Sequence, residues 1–78
     1  MKDIHKEKYL QVGMNVYHYR KKKGLTQEQL AEDLGVSRNQ ISNIEAYGSK
    51  AGPSLDLLFD IADYFNIKPK DLFFEREE

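Results

Sequence analysis

Apolar residues recur every three or four positions along most of this chain, with polar residues between them. This spacing is typical of amphipathic α-helices, and strand patterns are weak throughout. The first apolar stripe predicts a helix over residues 6–23, with Tyr9, Val12, Val16 and Tyr19 turned inward. Gly24 follows it and can adopt the left-handed conformation that ends many helices.

Later apolar segments predict helices over residues 27–34, 38–46 and 55–65, and a short last helix that begins at Pro69. The composition of residues 47–53 predicts a loop. The fourth helix should begin after a Ser54 cap and end at Asn66. We expect its core face to consist of Leu55, Leu58, Phe59, Ala62 and Phe65. The pattern predicts an all-α bundle of about five helices in one domain, residues 1–78, with a core over about 9–74 and frayed termini.

The second and third predicted helices begin with the same capping pattern. Thr26 and Ser37 can each accept a hydrogen bond from a free backbone N–H of the first turn. Gln29 and Gln40 stand three residues later, where each can complete a capping box. Gly35 lies between the two helices and permits a tight turn. Two capping boxes in register around a glycine predict a pair of short helices at a fixed angle.

Composition narrows the classes of function. The 78 residues include no cysteine, which excludes a disulfide or a thiolate metal site, and no apolar run reaches the roughly 18 residues of a membrane span. The net charge is −1, but residues 1–50 carry nine basic and six acidic residues, whereas residues 51–78 carry three basic and seven acidic residues. A basic half and an acidic half suggest that one face turns toward a polyanion.

The third predicted helix is apolar on one side, at Ile41 and Ile44, and polar on the other. Side chains of the types found on its polar side can contact base edges or phosphates. They are Arg38, Asn39, Ser42 and Asn43.

On these residues the chain resembles the phage-repressor-like (XRE type, lambda-repressor-like) helix-turn-helix regulators. The similarity covers roughly residues 11–73, and its centre is TQEQLAEDLGVSRNQISNIE. The family pattern places a small residue in the second helix, a glycine at the turn and branched apolar residues in the third helix. Ala31, Gly35, Ile41 and Ile44 meet those requirements.

The resemblance implies that the third helix enters the major groove of double-stranded DNA. Arg38, Asn39 and Asn43 are then the expected base-contacting residues. Residues expected to contact phosphate, or to combine that contact with a structural role, are Gln27, Ser37, Gln40, Ser42, Tyr47 and Lys50. Arg20 and Glu45 match positions that form a structural ion pair in this family.

The expected function is therefore that of a cytoplasmic transcriptional regulator, most simply a repressor, that binds a DNA operator as a homodimer. Leu72, Phe73 and Phe74 are candidates for the dimer surface, although Leu72 and Phe73 could equally close the monomer core. A phage-type repressor, a restriction–modification controller and an antitoxin-like regulator would all share this motif. A protein-interaction module on the same fold is the alternative from another class.

The sequence gives no support for catalysis. No nucleophile and base stand in a recognisable arrangement, and His5 and His18 are the only histidines. We therefore expect no enzyme activity, metal, cofactor, small-molecule ligand or membrane partner.

Overall fold

The structure is a computed structural model that describes residues 3–46 and 52–76 of the chain. Within these ranges it is helical and contains no strand. Two short 3-10 helices span Asp3–His5 and Pro69–Leu72. The α-helices are α1 (Lys6–Lys22), α2 (Gln27–Leu34), α3 (Arg38–Ala46) and α4 (Leu55–Phe65). The all-α prediction is confirmed, but the expected fifth helix is a single 3-10 turn, so the described ranges hold four α-helices.

The predicted helix ends are built as the sequence indicates. The Thr26 hydroxyl accepts a hydrogen bond from the backbone N–H of Gln29 at 3.0 Å, and the Gln29 side chain accepts one from the Thr26 N–H at 2.9 Å. Ser54 caps α4 by accepting from the Leu57 N–H at 3.1 Å. Asn66 ends α4 in the left-handed conformation, with φ of 57°. The cap hydrogen bonds fix where α2 and α4 begin, and the conformation of Asn66 fixes where α4 ends.

The core forms where α3 packs against α1 and α2, and where α4 packs against α2 and the Pro69–Leu72 turn. Gly13 makes the close approach of α1 to α3 possible, because a Cβ at this position would collide with the backbone carbonyl oxygen of Ile44. The buried apolar residues of the core are Val12, Val16, Leu30, Ala31, Ile41, Ile44, Leu57, Leu58, Ile61, Ala62 and Leu72.

The predicted core face of α4 is partly wrong. Leu58 and Ala62 are buried as expected, but Leu55 is 63% exposed and Phe59 is 46% exposed. Leu57 and Ile61 take their place in the core. Because α4 is apolar around most of its circumference, two neighbouring stripes fit the helical period equally well, and only packing against the other helices selects one of them.

The segment after α4 returns to α1 and is held there by a buried side chain. Asn15 is completely buried, and its Nδ2 donates hydrogen bonds to the carbonyl oxygens of Leu72 and Phe74, both at 2.9 Å. Its Oδ1 accepts from Arg76 Nη1 at 2.7 Å and from Gln11 Nε2 at 3.0 Å. Arg76 is therefore hydrogen-bonded to α1, whereas residues 77–78 lie outside the described ranges and the expected fraying of the termini stays a prediction.

The three apolar residues at 72–74 differ in their burial. Leu72 is completely buried, which contradicts its assignment to a dimer surface and places it in the monomer core. Phe73 is 40% exposed and Phe74 is 68% exposed.

In the part of the chain that the structure describes, no helix is long and apolar enough to cross a membrane.

Candidate nucleic-acid interface

α2 and α3 are joined by a turn that fixes the angle between them. Gly35 has φ of 71°, the left-handed conformation that a residue with a Cβ rarely adopts. The N–H of Gly35 donates to the Glu32 carbonyl oxygen at 3.2 Å, and the N–H of Val36 donates to the Ala31 carbonyl oxygen at 3.0 Å. These bonds satisfy the last carbonyl groups of α2 and direct the chain into the next cap.

α3 begins with the second capping box. The Ser37 hydroxyl accepts from the Gln40 N–H at 3.1 Å, and Gln40 Oε1 accepts from the Ser37 N–H at 2.9 Å. Both side chains are exposed, but these bonds use the Ser37 hydroxyl oxygen and the Gln40 amide oxygen. The Gln40 Nε2 group keeps its two N–H donors for another partner.

One face of α3 is anchored in the core and the opposite face is open. Ile41 is completely buried and Ile44 is 7% exposed. Arg38, Asn39 and Asn43 are exposed on the other side of the helix, and no ion pair joins Arg38 to another described residue. Ser42 is half-buried on the same side. The three expected base-contacting residues therefore lie on one accessible surface, with their donors and acceptors available.

A cleft of about 400 Å³ adjoins the start of α3. It brings Gln27, the first residue of α2, close to Arg38. Lys21, from the last turn of α1, also lines it and forms no ion pair with a described residue. A cation in the last turn of α1 suits the negative end of that helix, but only the packing of the helices brings Lys21 beside Gln27 and Arg38.

Beneath this surface, Arg20 and Glu45 form a bidentate ion pair. Arg20 Nε donates to Glu45 Oε2 at 2.7 Å and Arg20 Nη2 donates to Glu45 Oε1 at 2.9 Å. Arg20 Nη1 also donates to the Leu25 carbonyl oxygen at 2.7 Å. The hydrogen bond with Glu45 raises the pKa of Arg20 despite the opposing effect of burial, so the guanidinium stays charged. The pair joins the end of α1 to the end of α3.

Gln27 is part of the same network, which the sequence did not indicate. Its Nε2 donates to Glu45 Oε1 at 3.0 Å, and the side chain is half-buried. The two residues are 18 positions apart and belong to different helices, so no local pattern could have paired them.

Other expected site residues fall outside this surface. Tyr47 and Lys50 lie outside the described residues, so their predicted phosphate contacts stay predictions. Among the described residues, no cluster of histidine and carboxylate side chains could hold a metal ion.

Comparisons with known proteins agree with this geometry. A sequence profile described as "Helix-turn-helix" matches residues 16–72, which include α2, α3 and α4. A protein of Methanocaldococcus jannaschii named "Uncharacterized HTH-type transcriptional regulator MJ0272" is 46% identical over 61 residues, which is 78% of this chain and 89% of that protein. An HTH-type transcriptional regulator of Archaeoglobus fulgidus is 44% identical over 81% of this chain and 89% of its own length.

A solved structure shares the arrangement of the helices. It is the restriction-modification controller protein C.AhdI from Aeromonas hydrophila, which superposes with a TM-score of 0.75 at 29% sequence identity. The match covers 83% of this chain and 96% of that protein, so the helical bundle corresponds along almost its whole length.

Proposed function

The chain belongs to the helix-turn-helix family, and from this premise we propose that it is a transcriptional regulator that represses by binding a specific double-stranded DNA operator. The observation that supports this most strongly is α3 itself. Its capped start and its buried Ile41 and Ile44 hold Arg38, Asn39 and Asn43 on one exposed face. A helix of this kind fits the major groove, where its N-terminal residues meet base edges.

The side chains of this face suggest what is recognised. An arginine matches the O6 and N7 acceptors of guanine, so Arg38 would contact a guanine. Asparagine matches N6 and N7 of adenine, so Asn39 and Asn43 would favour adenines. Each well-formed pair would contribute about 1–3 kcal/mol of discrimination against a wrong base.

Phosphate contacts would flank this face. Gln27 lies at the first turn of α2, where the helix dipole favours an anion. Ser37 and Gln40 keep hydroxyl and amide donors at the start of α3, and Ser42 lies on its outer side. Tyr47 and Lys50 complete the set of phosphate candidates proposed from the sequence.

We further propose that the regulator binds as a homodimer in the cytoplasm. One recognition helix contacts only a few base pairs, and two-fold symmetry would place two such helices about 34–36 Å apart. Phe73 and Phe74 are the remaining candidates for the subunit interface, because both are exposed aromatic residues. Sedimentation of a monomer at high micromolar concentration, combined with an operator that has no two-fold symmetry, would contradict the dimer.

The decisive experiment is selection of bound duplexes from a random pool at two salt concentrations. We expect a short enriched motif, with affinity that falls as salt rises. Arg38→Ala should relax one base position, whereas Gln27→Ala should weaken binding to all sequences about equally. Lys70→Ala is the matched control, since it removes the same charge from an exposed site after α4. Enrichment of no motif would refute the proposed function.

A further inference from the structure

Glu45 has a buried side chain at the end of α3 that accepts three hydrogen bonds. Its side chain is 5% exposed. Two of the bonds come from Arg20, at 2.7 and 2.9 Å, and the third comes from Gln27 Nε2 at 3.0 Å. Because Arg20 neutralises the carboxylate from one side, Glu45 presents Gln27 with a fixed acceptor rather than with an unbalanced negative charge.

This bond determines which groups of Gln27 remain available. A glutamine amide has two N–H donors and one carbonyl oxygen. Glu45 occupies one of the N–H donors, so the second donor and the oxygen are left for other partners. The half-buried side chain lines the cleft that also contains Arg38, on the side of the molecule where α3 exposes its polar face.

We infer that Glu45 is a positioning residue for DNA binding, which holds the Gln27 amide so that its second N–H donates to a backbone phosphate. This inference rests on the proposed function. It reverses the simple electrostatic expectation, because a carboxylate near DNA ordinarily weakens binding by repulsion. The bond also joins the start of α2 to the end of α3, so it sets the phosphate contact relative to the base-contacting helix.

Arg20 extends the same tie to the loop before α2. Its Nη1 donates to the carbonyl oxygen of Leu25, the residue that precedes the Thr26 cap. The start of α2 is therefore held at two points, through Leu25 and through Gln27. A side chain held in this way loses little conformational freedom when it meets a phosphate, which favours binding.

The test uses operator duplexes in which one phosphate at a time is replaced by a neutral methylphosphonate. With the wild-type protein, we expect each half-site to contain one phosphate that accepts a hydrogen bond from Gln27. The replacement there should weaken binding roughly 10- to 100-fold, the value of one hydrogen bond to a charged group. Gln27→Met should weaken binding to unmodified DNA by a similar factor and should make the replacement at that position ineffective.

The decisive variant is Arg20→Met combined with Glu45→Met. It leaves the net charge of the protein unchanged and replaces the ion pair with apolar side chains of similar length, an exchange that folded proteins often tolerate. We expect this variant to lose the methylphosphonate effect, and adding Gln27→Met to it should cause no further loss. Retention of the full effect at the same phosphate would overturn the inference.

Glu28→Met is the matched control. Glu28 lines the same cleft and has no hydrogen bond to Gln27. Removal of its charge should tighten binding to every duplex and should leave the methylphosphonate effect in place. Loss of the positional effect in this variant as well would overturn the inference, because any carboxylate of the cleft would then serve.

A measurement on the free wild-type protein keeps the test independent of the stability of the variants. Side-chain amide relaxation in solution should show Gln27 Nε2 more restricted than the exposed amides of Asn39 and Asn43. Equal mobility of the three amides would overturn the inference. If the wild-type protein binds no duplex, the proposed function fails. If it binds and Gln27→Met changes nothing, the regulator function stands, and both the phosphate contact of Gln27 and this inference fail.

Discussion

Substitution of Gly13 tests whether the crossing of α1 and α3 is as close as the structure indicates. A Cβ added to this residue would collide with the carbonyl oxygen of Ile44 and would lie 3.0 Å from the carbonyl oxygen of Glu45. Both obstacles are backbone atoms of α3, so neither can rotate aside as a side chain would. Accommodating alanine requires α1 and α3 to move apart, which disturbs the core beneath both helices.

Two opposing effects determine the size of the loss. Alanine favours a helix interior over glycine by about 0.8–1 kcal/mol. Overpacking costs about 1–3 kcal/mol, and the rigid backbone of α3 places Gly13 near the upper end of that range. We therefore expect Gly13→Ala to lower the free energy of unfolding by about 2 kcal/mol. For a domain of this size, the melting temperature should fall by roughly 8–16 °C.

Thermal unfolding followed by circular dichroism measures this effect, and Gly24 provides the comparison. Gly24 has φ of 74° and open space around it, so Gly24→Ala should suffer only from backbone strain of about 1–2 kcal/mol. Asparagine tolerates that conformation, so Gly24→Asn should be less harmful than Gly24→Ala, whereas Gly13→Asn should be worse than Gly13→Ala. A Gly13→Ala protein that melts higher than the wild type would refute the reasoning, because the helix propensity of alanine would then outweigh the collision with α3.

Three further predictions concern the residues that hold the bundle together. Asn15→Ala should cost about 2–3 kcal/mol in urea unfolding, because it leaves the carbonyl groups of Leu72 and Phe74 without their donor. Leu72→Ala should cost about 2–5 kcal/mol in the monomer, whereas Phe74→Ala should change its stability by less than about 0.5 kcal/mol; equal losses would contradict the assigned burial. The hydrogen bond to Asp33 raises the pKa of Tyr64, so the folded state favours the neutral phenol, and this stabilisation is present below about pH 10 and lost as pH rises through the folded-state pKa. Tyr64→Phe should therefore lose less stability than the wild type on titration to alkaline pH, as melting curves would show.

The elements predicted correctly are those whose causes are local. The capping box of Thr26 and Gln29 depends on residues three positions apart, and its two hydrogen bonds form as expected. The left-handed conformations of Gly35 and Asn66 likewise follow from the identity of one residue. Signals of this kind do not depend on how the helices pack, so they were available from the sequence.

The features that the sequence did not reveal depend on distant partners. Asn15 bonds to residues 57 and 59 positions away, and an asparagine in an apolar stripe carries no sign of such partners. Gly13 resembles any tolerated helix glycine until α3 is placed against it. Leu55 and Phe59 fit the helical period as well as Leu57 and Ile61 do, so the choice between them belongs to the packed bundle.

α3 is held in place both by local hydrogen bonds at its start and by a partner distant in sequence at its end. An isolated helix as short as α3 is marginal in water, so its order must come from its surroundings. Its start is held by its own capping box, and its end is held through Glu45 to Arg20. Arg38 and Asn43 lie between these two fixed points, and their helix needs no further ordering to enter a groove. Damage to either anchor should therefore weaken binding to every duplex, whereas damage to Arg38 should change which duplex is preferred.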